Sequence, residues 1–276
     1  MIEIGYLGPK GTFSQEAVKK YIKGRNDCVE VNFNTLSDLI LAVQNGSIKE
    51  AVAPIENSLE GAVNVTLDML AADVDLTIKG EVVIAVRQNL LVKKGTELKN
   101  IKHILSHPQP IGQCRKYLAA KFPEAQIKYV YSTSNAAEEV AGGAGDMAAI
   151  GSTIAAEVYG LEIADEGIHD GDNNFTRFVV LSKENCVRTG HDKTSIVFST
   201  EDKPGSLYRI LDIFNLWDIN MTKIESRPAK NELGRYIFFV DIIGHLEDED
   251  VKNALTMIKR KTSFYKFLGS YPVYKG

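Results

Sequence analysis

The chain has 276 residues, which at roughly 100–200 residues per domain suggests two domains. Apolar residues make up 44% and charged residues 25%, as in ordinary globular proteins, so a disordered or collagen-like chain is excluded. The net charge of −4 offers no basic surface for non-specific nucleic-acid binding. No segment approaches the roughly 18 apolar residues of a membrane span, so neither nucleic acid nor a membrane is an expected partner.

The cysteines indicate the compartment. Cys28, Cys114 and Cys186 are far apart and form no C-x-x-C pair, which is typical of reduced thiols in an intracellular protein. The first residues, Met1 to Ile4, contain no basic leader followed by an apolar stretch. We therefore expect a cytoplasmic protein.

Up to about residue 182, short apolar runs alternate with helical patterns. This alternation predicts an α/β fold with mostly parallel sheets. Thr12 begins the first helix, with Gln15 at the spacing of a capping box. The other predicted helices include one from Ser37 to Gly46 and one through Val63 and Leu70. Strands are predicted at 2–6, 51–55, 82–86, 90–92, 103–106, 127–131, 147–150 and 178–181.

The pattern changes after a polar segment at 183–193, which reads as a linker. Strands are then predicted at 195–199, 221–226, 236–243 and 265–273, with a turn at 231–234 and helices through 207–214 and 251–258. The order βαββαβ in about 80 residues is that of an α+β, ferredoxin-like unit.

Small polar segments stand where predicted strands end. The segment 8–14 places backbone amides, two hydroxyls and Lys10 at a helix N-terminus, an arrangement that favours an anion. Segments 56–58, 132–135 and 151–153 follow three other strands. Open α/β sheets bind ligands beyond their strand ends, so these segments are candidates for one crevice, although each is also compatible with an ordinary helix cap or turn.

The loop at 170–174 leads into an apolar strand through Thr176 and Arg177. An arginine in such a stretch needs a partner if it is buried. His103 and His107 have the i, i+4 spacing of metal ligands, but the prolines that follow disfavour a metal-binding helix there. Neither a nucleotide-binding glycine motif nor a metal motif is present, so no cofactor and no metal are expected.

Four segments stand in order along the chain: GPKGTFS at 8–14, PIENS at 54–58, NFTRF at 174–178 and IESRP at 224–228. In this combination the sequence resembles a stand-alone bacterial prephenate dehydratase, with a catalytic domain followed by an ACT regulatory domain, and the resemblance covers essentially the whole chain. It implies a catalytic domain at 1–182 with two lobes similar to those of periplasmic binding proteins, and an ACT domain at 194–273. The implied lobes are about 1–78 with 165–182, and about 80–160.

The resemblance implies conversion of prephenate into phenylpyruvate, water and carbon dioxide, towards phenylalanine, without a cofactor. Thr176 matches the family's signature threonine and is the expected hydrogen-bond donor to the leaving hydroxyl. Arg177 either holds a substrate carboxylate or fixes the loop. The further substrate-binding candidates are Thr12, Ser14, Asn57, Ser58, Ser132, Thr133, Ser134, Asn135 and Phe178.

The C-terminal unit resembles ACT domains that bind inhibitory phenylalanine between paired subunits, which implies a homodimer or homotetramer. Ser206 and Tyr208 depart from the family's Gly-Ala-Leu-Val, so the preferred amino acid stays open. The expected phenylalanine-binding residues are Gly205, Ser206, Leu207, Asn220, Glu225, Ser226, Arg227 and Pro228.

Two alternatives accompany this interpretation. The same reaction on arogenate, the aminated substrate, differs only in contacts that a sequence does not resolve. A non-catalytic amino-acid sensor would combine a lobe pair with an ACT domain, but the Thr176 segment favours an enzyme. A fused chorismate mutase is not expected, because no helical segment precedes residue 1.

Overall fold

The computed structural model describes residues 1–171, 173–229 and 235–275, so Asp172 and the turn predicted at 231–234 lie outside the described residues. Within them, no helix is long and apolar enough to cross a membrane. The strands are β1 Ile2–Leu7, β2 Cys28–Phe33, β3 Glu50–Asn57, β4 Gly61–Ala62, β5 Thr77–Ala85, β6 Asn89–Val92, β7 His103–Ser106, β8 Gln126–Tyr129, β9 Met147–Gly151, β10 Glu162–Asp165, β11 Phe175–Ser182, β12 Asp192–Ser199, β13 Met221–Pro228, β14 Tyr236–Ile243 and β15 Phe264–Pro272.

The helices agree with the predicted patterns, except that the 3₁₀ turn and the π-helical geometry after Asp68 were not predicted from the sequence. They are α1 Phe13–Tyr21, α2 Leu36–Gln44, α3 Asn64–Asp68, α4 Pro108–Gln113, α5 Arg115–Lys121, α6 Thr133–Gly142, α7 Thr153–Tyr159, α8 Ser206–Leu216 and α9 Glu249–Lys261, with a π-helical turn at Met69–Asp73 and a 3₁₀ turn at Leu98–Asn100. The helix predicted through Val63 and Leu70 therefore changes from α to π geometry after Asp68.

The first two helices begin where a side-chain hydroxyl caps them. The Thr12 hydroxyl accepts from the Gln15 amide at 3.4 Å, and Gln15 Oε1 accepts from the Gly11 amide at 2.7 Å. This reciprocal pairing resembles the predicted capping box, shifted by one residue on the returning bond. The second helix begins at Leu36, one residue earlier than predicted, because the hydroxyl of Thr35, and not that of Ser37, accepts from the Asp38 amide.

Three sheets are present, with strand orders β2-β1-β3-β11-β5 (β4 pairing with β3), β10-β6-β9-β7-β8 and β13-β14-β12-β15. In the second sheet β7 runs parallel to β8 and β9, as predicted, whereas β6 is antiparallel to β9 and β10.

Alternate side chains of the second sheet pack on opposite faces. Leu90 of β6 and Ile150 of β9 belong to a cluster with Leu118 of α5. On the other face, Leu91 of β6 packs with Ala137 of α6. Helices on both faces bury the inner strands β6, β7 and β9, which explains the uninterrupted apolar runs in their sequences, whereas the edge strand β8 is exposed.

The third sheet is antiparallel throughout and forms a core with α8 and α9. Phe198 and Val240 from the sheet contact Ile210 of α8 and Leu255 of α9 in one cluster. The order β12-α8-β13-β14-α9-β15 confirms the predicted βαββαβ unit. The mixed α/β class predicted for the whole chain is confirmed as well.

The chain divides into two compact units. The first contains Met1–Leu39, Val52–Gly61 and Val83–Phe178, and the second contains Ile40–Ala51, Ala62–Val82 and Val179–Gly276. The second unit thus joins the third sheet with segments from the N-terminal half of the chain. The domain and lobe boundaries implied by the family resemblance stay predictions.

Gly269 of β15 is a packing constraint within the second unit. Its φ is +139°, and an added Cβ would overlap the carbonyl oxygen of Ile78 and lie 2.9 Å from the Ile78 nitrogen. We predict that Gly269→Ala lowers the free energy of unfolding by about 3 kcal/mol, since backbone atoms cannot yield as a side chain does. Gly24 is the control, because at its φ of +83° nothing lies within 4 Å of an added Cβ. Gly24→Ala should cost about 1 kcal/mol in denaturant unfolding, and equal losses in the two variants would contradict the prediction.

Asp192 secures the start of β12. Its buried carboxylate accepts from the Thr189 amide at 2.8 Å, the Thr189 hydroxyl at 2.6 Å and the Gly190 amide at 2.9 Å. Burial acts to raise the pKa of Asp192, but these hydrogen bonds outweigh it and lower the pKa below its usual value. The carboxylate therefore stabilises the fold above its unfolded pKa of about 3.9, and the stabilisation is lost as pH falls through the folded pKa.

We predict that Asp192→Asn lowers the free energy of unfolding by about 1–2 kcal/mol at pH 7, as expected for weakened hydrogen bonds to a buried charge. The difference from the parent should shrink as the pH falls below about 4. Urea unfolding at several pH values measures it, with the exposed Glu124→Gln as control. A difference that does not change with pH would contradict the role of the charge.

Candidate active site

The carboxamide of Asn57, the last residue of β3, connects two distant parts of the chain. Its Nδ2 donates to Thr176 Oγ1 at 2.9 Å and to Asn174 Oδ1 at 2.8 Å. Its Oδ1 accepts from the amides of Leu59 at 2.9 Å and Glu60 at 3.0 Å. These contacts use both donors and both acceptor positions of the carboxamide, and the two backbone donors fix which atom is oxygen.

Thr176, the second residue of β11, is thereby oriented. Its hydroxyl oxygen accepts from Asn57, so the hydroxyl proton points away from that bond. Among the described residues no acceptor for this proton is found. The side chain is half-buried. A hydroxyl held through its oxygen and left with its proton is suited to donate to a ligand.

The loop before β11 is held by several anchors. Ser58 Oγ donates to the Asn173 carbonyl at 2.6 Å and accepts from the Phe175 amide at 2.9 Å. Asn174 Nδ2 donates to Gln113 Oε1 at 3.2 Å, and the Asp170 amide donates to the Gln113 carbonyl at 2.7 Å. Gln113 is not among the residues predicted from the sequence, because nothing in the local pattern of α4 indicates a partner 61 residues away.

Arg177 is buried, with 8% of its surface exposed, and its Nη1 lies 3.5 Å from Glu56 Oε1. This pairing supports the interpretation that Arg177 fixes the start of β11, because a buried guanidinium needs a compensating charge. Phe178 is 2% exposed and lies in the core. That position is compatible with packing, and its predicted contact with substrate stays untested.

A second group of hydroxyls holds the segment 8–14. Ser134 Oγ and Tyr159 Oη both donate to the Lys10 carbonyl, and Ser152 Oγ donates to the Gly11 carbonyl at 3.0 Å. Gly11 has a φ of +83°, and an added Cβ would lie 3.0 Å from Ser134 Oγ. Hydroxyls at the N-termini of α6 and α7, together with that of Tyr159 at the end of α7, thus hold the backbone of this segment.

The remaining predicted substrate contacts of this region act as helix caps or lie beside them. Thr12 Oγ1 donates to the Leu7 carbonyl at 3.1 Å and caps α1, and Ser14 is buried in the first turn. Ser132 Oγ caps α6 and donates to Asn135 Oδ1 at 2.7 Å, and Thr133 is the first residue of that helix. The structure brings Asn57, Ser58 and Thr176 together in one network and Ser134 into the other.

The thiol beside Gln113 is not a nucleophile at neutral pH. Burial, together with the Asp170 carboxylate, raises the pKa of Cys114 to about 12. Within the described ranges, no three His, Cys, Asp or Glu side chains are grouped as metal ligands would be. The chemistry that the described side chains offer around Thr176 is hydrogen-bond donation.

The predicted phenylalanine-binding residues fall into two places. Gly205, Ser206 and Leu207 line a cavity of about 350 Å³ at the start of α8. Asn220 precedes β13 and accepts from the Ile243 amide through its carbonyl. Glu225, Ser226, Arg227 and Pro228 lie on β13. Arg227 has a partner within the chain, because its Nε lies 2.8 Å from Asp68 Oδ1, and its contact with phenylalanine stays a prediction.

Comparison with known proteins identifies the family. The family model described as prephenate dehydratase matches residues 4–186, and that of the ACT domain matches residues 194–256. The bifunctional chorismate mutase/prephenate dehydratase of Aquifex aeolicus is 41% identical, over 98% of this chain and 74% of that protein.

Two solved structures are similar over nearly the whole chain. The prephenate dehydratase of Arthrobacter aurescens, in complex with L-Phe, has a TM-score of 0.89 and 35% identity, over 99% of this chain and 90% of that one. GqqA, described as a novel type of quorum quenching acylase, has a TM-score of 0.88 and 28% identity, over 99% and 98%. The family match covers more than half of the residues, so this chain belongs to the prephenate dehydratase family and carries an ACT domain in its C-terminal part.

Proposed function

We propose that this chain is a prephenate dehydratase that converts prephenate into phenylpyruvate, water and carbon dioxide, and that phenylalanine inhibits it through the ACT domain. The observation that carries the proposal is the Thr176 hydroxyl, which accepts a 2.9 Å hydrogen bond from a fully engaged Asn57 carboxamide. Family membership supports the same activity.

The reaction needs few chemical groups. The bond between the ring and its carboxylate breaks, and the electron pair enters the ring as carbon dioxide leaves. The bond to the ring hydroxyl breaks at the opposite carbon, and the departing oxygen takes up one proton to become water. Aromatisation of the ring drives both steps, so the enzyme contributes chiefly position and a donor to the leaving oxygen.

Thr176 is the proposed donor. Asn57 fixes the threonine oxygen before substrate arrives, and a preorganised donor requires no reorganisation as charge develops on the leaving oxygen. A threonine hydroxyl is a weak acid, so Thr176 donates a hydrogen bond, and we propose that the departing hydroxide becomes water by taking up one proton from the solvent. Asn57 is then a positioning residue, a more specific role than the substrate contact predicted from sequence.

The other residues of the first unit anchor and shape the site. We assign Arg177 to fixing β11 through Glu56, and Ser58 to holding the loop before it. The amides at the start of α1, beside Thr12 and Ser14, are the proposed carboxylate contacts, because a helix N-terminus favours an anion. Prephenate is a dianion, so such contacts would bind it without a metal.

The ACT domain supplies regulation in this proposal. The cavity at Gly205, Ser206 and Leu207 has the size to take an amino acid and lies at the N-terminus of α8, which no side chain caps. We propose that a second copy of the chain completes this site, which implies a homodimer or homotetramer. We propose a cytoplasmic enzyme, consistent with three free cysteines among the described residues.

The first test is phenylpyruvate formation by purified protein given prephenate alone, repeated with phenylalanine. Product without added metal or nucleotide, suppressed by phenylalanine, is the expected result. If the protein converts arogenate but not prephenate, arogenate is the substrate. If it binds either compound without converting it, the result favours the amino-acid sensor. Acylase activity in the absence of any dehydratase activity would assign the chain to the chemistry named for GqqA.

We predict that Thr176→Ala or Thr176→Val lowers kcat by about 10²–10³, as for loss of one preorganised donor. Valine keeps the shape of threonine, so a loss of turnover in the valine variant would report the missing hydroxyl alone. Thr176→Ser retains the hydroxyl and should stay within about 10-fold of the parent. Near-parental turnover in the valine variant, with an unchanged melting temperature, would remove Thr176 from the mechanism.

We predict that Asn57→Ala lowers kcat by about 10–100-fold with a smaller change in KM, because the Thr176 oxygen loses its anchor. Asn57→Asp should lose more, since a carboxylate accepts the Thr176 proton and so withdraws it from the substrate. Steady-state kinetics measure both effects, with the exposed Asn100→Ala as the control. A change confined to KM would place Asn57 in substrate binding instead.

A further inference from the structure

Arg227 of β13 contacts helix α3 within the second unit. Its Nε lies 2.8 Å from Asp68 Oδ1, and its Nη1 donates to Asn64 Oδ1. The side chains of Arg227 and Asp68 are only 17% and 19% exposed. A largely buried pair is screened less by salt than a surface pair, so this contact is energetically significant for the elements that it joins.

The helix that receives Arg227 has little stability of its own. It spans five residues, Asn64–Asp68, and its N-cap residue Val63 makes no side-chain capping bond. It continues directly into the π-helical turn at Met69–Asp73. Short helices depend on tertiary contacts, so a contact at Asn64 and Asp68 can bias where α3 sits.

Both ends of this link are close in sequence to sites proposed above. Asn64 follows Asn57, which positions the Thr176 hydroxyl, after only six intervening residues. Arg227 belongs to the segment 225–228, which the family resemblance associates with phenylalanine. A displacement of β13 would therefore reach α3 and, through the short segment 58–63, the residue that holds the proposed donor.

Other contacts of the second unit link the third sheet to β5. Gly269 packs on the backbone of Ile78 without room for a side chain. Lys193 of β12 pairs with the buried Glu81 at 3.0 Å from both carboxylate oxygens. These contacts anchor β12 and β15 to β5, whereas β13 reaches α3 through the extended side chain of Arg227. Of these contacts, the backbone packing at Gly269 is the rigid one, and the contact of β13 with α3 is an ion pair on a long side chain.

We propose that Arg227, with Asp68 and Asn64, couples the ACT domain to the catalytic site. Arg227 is a coupling residue in this proposal and not a phenylalanine ligand. Phenylalanine changes the position of β13, the ion pair transmits the change to α3, and the Asn57 carboxamide moves from the position that holds Thr176. The inference rests on the proposed function, since it requires an ACT domain that inhibits dehydration. A ligand shifts such an equilibrium only if the link differs between the two states.

The test is Asp68→Ala, which removes the partner on α3 and leaves the segment 225–228 intact. We expect basal turnover within about twofold of the parent and phenylalanine still bound in calorimetry. The phenylalanine concentration for half-inhibition should rise at least about 10-fold, within the range of typical allosteric coupling. By linkage, a substrate analogue should then no longer weaken phenylalanine binding.

Two further variants keep the test decisive. Asn64→Ala removes the second acceptor at an exposed position and should weaken inhibition in the same direction if Asp68→Ala fails to fold. Lys49→Met is the matched control, because it removes another ion pair of the same unit, Lys49 to Glu184 at 3.3 Å, and should leave inhibition unchanged. In a double-mutant cycle with Arg227→Ala, the variant that carries both substitutions should lose no more inhibition than Asp68→Ala alone.

The outcomes separate the two proposals. A parent protein without dehydratase activity, or one that phenylalanine does not inhibit, overturns the proposed function. A parent that is inhibited, together with Asp68→Ala and Asn64→Ala variants that are inhibited equally well, overturns the coupling role of Arg227. Loss of phenylalanine binding itself in Asp68→Ala would also overturn it, because the link would then form part of the ligand site.

Discussion

The candidate site depends on one constraint: a hydroxyl whose oxygen accepts a hydrogen bond must donate its own proton in another direction. Asn57 imposes this constraint on Thr176, and its two accepting contacts come from the backbone amides of Leu59 and Glu60. The carboxamide therefore cannot rotate to present its oxygen to Thr176 without losing those amides. The direction in which Thr176 donates is set by the turn after β3 and not by Thr176 itself.

This dependence explains why so many anchors surround the loop before β11. Thr176 is useful only if it stays within hydrogen-bond distance of Asn57, and the two residues are 119 positions apart in the chain. Ser58 ties the loop to the end of β3 through side-chain and backbone bonds, and Gln113 ties it to α4. Placement on the first residues of a strand adds rigidity that a free loop would lack.

The sequence predicted the elements well and their partners poorly. Apolar periodicity located the strands of the third sheet, and the capping spacing at Thr12 located α1, because both signals are local. The edge strand β2 was missed, since its side chains are exposed or half-buried on both faces and show no clean alternation of burial. Gln113 and Tyr159 carry no local signal, because their roles depend on contacts with distant segments.

The type of a residue also does not show whether its side chain contacts a ligand or another part of the chain. Ser134 and Asn57 are both predicted substrate contacts, and in the structure Ser134 donates to a backbone carbonyl and Asn57 to a neighbouring hydroxyl. Arg227 lies in a segment that the family resemblance associates with phenylalanine, and its guanidinium binds Asp68. The ligand contacts of all three residues stay predictions. In each case a polar side chain near a strand end has two chemically equivalent uses, and only the fold decides which partner is within reach.

The nature of the contacts between the third sheet and its neighbours bears on how a regulatory signal is carried. A contact such as Gly269 against Ile78 is fixed by overlap, so it resists movement but cannot adopt a second arrangement at small cost. An ion pair on a long side chain can lengthen or exchange partners while the backbone shifts. The second unit combines both kinds of contact, and the contact that adjoins α3 is an ion pair. Coupling through α3 therefore requires no deformation of the packed core, only a change in which groups Arg227 contacts.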